Sequence, residues 1–144
     1  MQTFQQKNLL KKSEKIEVKT GSEYLLDSCI WIGYFTGDTP KTKEIIESDQ
    51  NNNFTSILTI FELMVKMKNM KMPKIIIENM TDIIENNSTL LTLDKDIVKN
   101  ASENTKKHNL FAMDSLLYST AESKGLIFVT ADKHFSKTPK TNII

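Results

Sequence analysis

Four carboxylates stand at positions where acidic side chains can do chemistry together: Asp27, Glu62, Asp114 and Asp132. Asp27 follows the apolar run Tyr24–Leu26, and Asp132 follows Leu126–Val129 after Thr130 and Ala131. Glu62 falls in TIFEL and Asp114 opens MDSLLYSTAESKG, both segments with helical spacing of apolar residues. Carboxylates brought together repel and raise one another's pKa. A hard divalent cation relieves that repulsion. A ligand set of oxygens, with no His or Cys at ligand spacing, suits Mg²⁺ or Mn²⁺ and not Zn²⁺. Ions of that kind polarise a phosphodiester and lower the pKa of a bound water. The chemistry implied is metal-assisted phosphodiester hydrolysis.

Each acid also has a purely structural use. Asp27 is placed to cap the helix after the first strand. Thr59-x-x-Glu62 has capping-box spacing. Asp114 suits a helix N-terminus, where the dipole favours negative charge. Asp132 suits an Asx-type turn. Ser28 and Thr130 are candidates to hydrogen-bond the carboxylates and fix their rotamers. Ser115 is a weaker candidate. His134 is a surface residue that could assist catalysis or bind RNA. Cys29 reads as buried and inert.

The elements that must position these residues follow from pattern and punctuation. Short strands are expected at Tyr24–Leu26, Phe54–Ile57, Leu90–Leu93 and Leu126–Val129, with a further short one at Thr141–Ile144. Helices are expected at Ser28–Phe35, from Pro40 to about Asp49, at Thr59–Met70 with a break at Met72-Pro73, at Pro73–Asn86, at Lys95–Asn104 and from Asp114 to Lys124. Asp38 or Thr39 would cap the second helix, and Asp94 the fifth. Ile76, Ile77, Met80, Ile83 and Ile84 form the stripe expected to be buried on Pro73–Asn86. Met64, Met67, Met70 and Met72 read as core or as an adaptable partner surface. The alternation of strands and helices implies a parallel sheet of four to five strands with helices on both faces. Right-handed crossovers then bring the strands' C-terminal ends, and the four acids, to one edge.

Whole-chain quantities bound the rest. The chain has 144 residues and a net charge of +1, which suits one domain. Residues 1–22 carry +3 and residues 23–144 carry −2. The first 22 residues therefore read as a polar, Lys-rich extension, with the domain at 23–144. All 19 cations are Lys, so bidentate guanidinium contacts to phosphate or guanine are ruled out. No apolar run reaches membrane-spanning length and no secretory signal opens the chain. The single cysteine excludes an internal disulfide and fits a cytoplasmic setting.

YLLDSCIWIGYF, TIFEL and MDSLLYSTAESKGLIFVTADKHF together resemble the PIN-domain ribonucleases, in particular the VapC toxins of prokaryotic toxin–antitoxin pairs. The resemblance spans about residues 23–136 and implies a compact α/β/α sandwich that cleaves RNA with Mg²⁺ or Mn²⁺. It implies Asp27 and Asp114 as principal metal ligands, with Glu62 and Asp132 completing the acidic cluster. It further implies a homodimer inhibited by a small antitoxin protein. Relatives often carry another acid where this chain has His134. The rival from a different class is a non-catalytic RNA-binding or scaffold protein of the same fold.

Overall fold

The computed structural model describes residues 22–144. The expected N-terminal extension lies outside the described residues except for Ser22. The elements run β1 (Glu23–Leu26), α1 (Ser28–Thr36), α2 (Pro40–Glu47), β2 (Asn52–Ser56), α3 (Ile57–Asn69), α4 (Lys74–Asn87) and β3 (Thr89–Leu91). They continue with α5 (Lys95–Lys107), α6 (Ala112–Lys124), β4 (Ile127–Thr130), a 3₁₀ turn (Lys133–Phe135) and β5 (Thr141–Ile143). The five strands form one parallel sheet in the order β3-β2-β1-β4-β5.

The alternation of side chains along each central strand divides the core into two layers. Leu26 and Val129 face one side with Ile30, Trp31, Ile60, Leu63, Met67, Ile77 and Ile84. Leu25 and Phe128 face the other with Leu117, Tyr118, Ala121, Leu126 and Phe135. Helices α1 to α4 therefore cover one face, and α6, backed by α5, covers the other. This is the expected three-layer α/β/α sandwich. Burial of each large apolar side chain contributes about 1.5–3 kcal/mol. A buried polar thread ties the first layer: Trp31 Nε1 donates to Thr55 Oγ1 at 3.1 Å, Thr55 and Ser88 hydroxyls lie 2.8 Å apart, and Ser88 Oγ donates to the Ile84 carbonyl.

Chain direction reverses its lateral course at β1. Strands β2 and β3 add on one side, β4 and β5 on the other. The crevice outside the C-terminal ends of β1 and β4 is thus a topological switch point, the place where open α/β sheets bind ligands.

Several local expectations give way. Helix α3 begins at Ile57, not Thr59, because Ser56 takes the N-cap: its Oγ accepts from Leu58 N at 3.1 Å. Thr59 is then a fully buried helix residue, and the capping box does not form. Helix α6 begins at Ala112, so Asp114 lies inside the first turn and Phe111 is the N-cap. Thr39 caps α2 without a side-chain hydrogen bond, whereas Asp94 Oδ1 accepts from Ile97 N at 2.8 Å as expected. On α4 only Ile77 and Ile84 are buried, while Ile75, Ile76 and Ile83 are exposed. The Met run divides: Met67 joins the core, Met70 is exposed, and Met67, Met70, Met72 and Met80 line an apolar groove of about 250 Å³ with Phe35 and Leu63.

Candidate active site

Asp27 sits where β1 passes into α1 and is buried, at 7% exposure. Oδ1 accepts from Ser28 N at 2.7 Å, so Asp27 does cap α1. Oδ2 accepts from Thr130 Oγ1 at 2.8 Å. These bonds favour the ionised form, yet burial outweighs them, and Asp132 adds repulsion, so the pKa is raised.

Thr130 holds two acids with one hydroxyl. It donates to Asp27 and accepts from Asp132 N at 3.0 Å. The Ser28 hydroxyl makes only a long 3.5 Å contact with Asp27, so the backbone N–H of Ser28 does the holding. Cys29, expected to be buried and inert, is only partly buried and belongs to the same network. Its thiol faces Asp27 Oδ2 at 3.7 Å and Thr130 Oγ1 at 3.5 Å, and accepts from Ala131 N at 3.2 Å. Burial and the Asp27 charge keep the thiol protonated.

Glu62 is half-buried on α3. Released from any capping task, its buried Oε1 has no hydrogen-bond partner among the described residues. Desolvation, then repulsion from Asp27 and Asp114, pushes its pKa up to about 7. Asp114, also half-buried, is raised by desolvation and by Asp27 and Asp132, with His134 acting the other way. Asp132 behaves differently. It caps the 3₁₀ turn through its Oδ1, which accepts from His134 N at 2.9 Å and hydrogen-bonds His134 Nδ1 at 2.8 Å. Those bonds lower its pKa. Its turn role is therefore real, alongside its repulsion of Asp27 and Asp114. Ser115 points away from the cluster and donates to the Ala101 carbonyl at 2.6 Å.

The structure thus brings all four acids to one edge: Asp27 and Asp114 act on Glu62, Asp27 acts on Asp114, and Asp132 acts on Asp27 and Asp114. Among the described residues, the charges that act on Asp27 and Glu62 are those of other carboxylates. Donor chemistry fits a hard divalent cation: every acid offers oxygen, and Glu62 Oε1 lacks any other partner. Among the described residues, no group of three or more His, Cys, Asp or Glu side chains is arranged to hold a metal ion. Uncompensated carboxylates favour conformers that separate their charges, and a cation reverses that preference. Thr130→Val removes both hydroxyl bonds at nearly constant volume. It is expected to weaken Mn²⁺ binding about tenfold, read by calorimetry, while Thr130→Ser keeps it.

Sequence reasoning gave Cys29 no part in this network and did not reach Phe111. The contacts of Cys29 with Thr130 and of Phe111 with His134 join residues far apart in the chain, which local spacing does not reveal.

A family model described as PIN domain matches residues 24–141. A solved toxin–antitoxin complex from Klebsiella pneumoniae superposes with a TM-score of 0.70 at 22% identity, covering 83% of this chain and 95% of that one. VapBC2 from Rickettsia felis, bound to a DNA fragment from its promoter, gives 0.68 at 17% identity over 85% and 97%. PAE2754 from Pyrobaculum aerophilum gives 0.64 at 19% identity over 87% and 91%. At these identities the likeness concerns the fold. A search of curated proteins returned no match.

Proposed function

The chain belongs to the PIN-domain family, and from that premise we propose that it is a metal-dependent endoribonuclease, the toxin of a toxin–antitoxin pair. The observation that carries this reading is Glu62. A carboxyl with a buried, partnerless oxygen and two acids pressing on it is costly to keep unless a cation comes to it. Its neighbours on the same edge supply the rest of a hard-ion site.

In this reading Asp27, Asp114, Glu62 and Asp132 hold Mg²⁺ or Mn²⁺. When bound, the ion would polarise the scissile phosphate and favour ionisation of an attacking water. Thr130 holds the Asp27 carboxylate and the Asp132 backbone, and His134 holds the Asp132 carboxylate, so their orientation precedes ligand binding. Glu62 near neutrality can take up a proton from water at one stage and carry an ion at another. Ser28 N–H keeps the Asp27 carboxylate turned toward the crevice.

The toxin assignment leans on the structural relatives, two of which are toxin–antitoxin assemblies. The exposed apolar side chains on α3 and α4 and the methionine-lined groove support protein partners, an antitoxin and a second copy of this chain. Among the described residues no helix is long and apolar enough to cross a membrane, in keeping with a cytoplasmic site of action. The direct test is incubation of the purified protein with total RNA. Cleavage is expected with Mg²⁺ or Mn²⁺ and none with EDTA; cleavage unaffected by EDTA overturns the reading.

A further inference from the structure

Phe111 is the most exposed large apolar side chain among the described residues, at 73%. Its position is unfavourable by two separate criteria. It occupies the N-cap of α6, where Ser, Thr, Asp or Asn would bond the free N–H groups, and it makes no such bond. It also leaves an aromatic ring in water while its neighbour Leu110 takes the buried place. The backbone around it is nevertheless fixed, because its carbonyl accepts from Ser115 N at 2.9 Å at the start of α6. A rigid, exposed ring stands on the same turn as Asp114.

A second ring meets it from the other side of the crevice. His134 lies with its centroid 6.2 Å from that of Phe111, edge to face, and its side chain is 71% exposed. Asp132 fixes the imidazole through the 2.8 Å bond to Nδ1. The charge of His134 also acts on Asp114, so the ring pair lies beside the acidic cluster. Exposed Lys133 and Lys137 flank His134, and among the described residues neither has an ion-pair partner.

We propose that Phe111 and His134 form a stacking platform for an unpaired base of the RNA substrate next to the scissile phosphate. The proposal rests on the nuclease reading above and narrows its substrate to RNA with unpaired bases at the cut. A flat π-face accepts any base, and Lys133 and Lys137 supply point charges for the flanking phosphates. In a chain without Arg, guanidinium stacking cannot take this role, so the aromatic rings carry it. A fully paired helix hides its base faces and has nothing to offer the platform.

The test compares wild type, Phe111→Ala and Phe111→Trp on an unpaired oligoribonucleotide and on the same sequence as a blunt duplex, in Mn²⁺. Wild type is expected to cut the unpaired strand and to leave the duplex largely intact. Phe111→Ala is expected to raise KM on the unpaired strand about tenfold with kcat little changed, and Phe111→Trp to restore it. The fluorescence of the introduced Trp is expected to fall when the unpaired strand binds. An unchanged KM in Phe111→Ala overturns the platform. So does an unchanged KM with loss of self-association, which would make Phe111 a protein contact. Should the wild type cut nothing, the nuclease reading has failed; unquenched fluorescence of Phe111→Trp with the unpaired strand then removes the platform as well.

Discussion

Asp27→Asn is expected to lower RNA cleavage roughly 10³-fold while leaving the fold intact. The amide keeps an oxygen for Ser28 N–H, so the cap on α1 survives. It can still pair with Thr130, whose hydroxyl turns to accept instead of donate. What disappears is the charge that pairs with a cation and the repulsion it exerts on Glu62, Asp114 and Cys29. Cleavage assays and melting curves separate the two consequences. Without divalent ions the variant should melt at or above wild type. With millimolar Mn²⁺ only wild type should gain stability, because only wild type binds the ion tightly. Equal cleavage by the two proteins would remove Asp27 from the chemistry.

Glu62→Gln is expected to raise the melting temperature of the ion-free protein by a few degrees at pH 8 and by little at pH 4. The sign follows from proton linkage. The folded protein holds the Glu62 proton up to about 7, against 4.5 for the ordinary group. Between those values the native state binds more protons than the unfolded chain, so stability falls as pH rises. Above about pH 7 both states are ionised, and the folded state carries the full penalty of a crowded carboxylate. Since the side chain is half open to solvent, screening reduces that penalty to about 1 kcal/mol. Glutamine escapes it. Mn²⁺ should reverse the order, stabilising wild type more than the variant. Parallel melting curves at every pH would mean that Glu62 is not crowded.

The layered architecture could be read from the sequence because its signals are redundant. Short apolar runs ending at Asp27 and Thr130, glycine past the end of α6 and Asp94 at the start of α5 each agree with one parallel sheet. That topology alone carries the four acids to a common edge, although their roles there stand as a proposal. Helix starts were less legible. Ser56 and Thr59 are both good caps, and local spacing cannot say which one the strand leaves free; Ser56 wins because β2 ends on it. The same limit applies to α4, where five apolar residues satisfy a helical stripe but the core has room for Ile77 and Ile84. Periodicity reports an apolar face without saying whether the chain itself covers it. Cys29 and Phe111 were invisible for another reason. Cys29 reaches Thr130 and Ala131, and Phe111 reaches His134, across long stretches of chain, and no local pattern announces such contacts.

The hydroxyl bond between Thr130 and Asp27 joins residues 103 apart in the chain. Strand β4 must therefore slot in beside β1 before Asp27 is held and before Asp114 and Asp132 can face it. Pairing at such separation comes late, because the loop it closes is most of the domain. During synthesis, an unfinished polypeptide that ends before β4 carries Asp27, Glu62 and Asp114 but lacks the strand that sets them together. The acidic edge thus comes together only after β4, which begins at Ile127, has emerged.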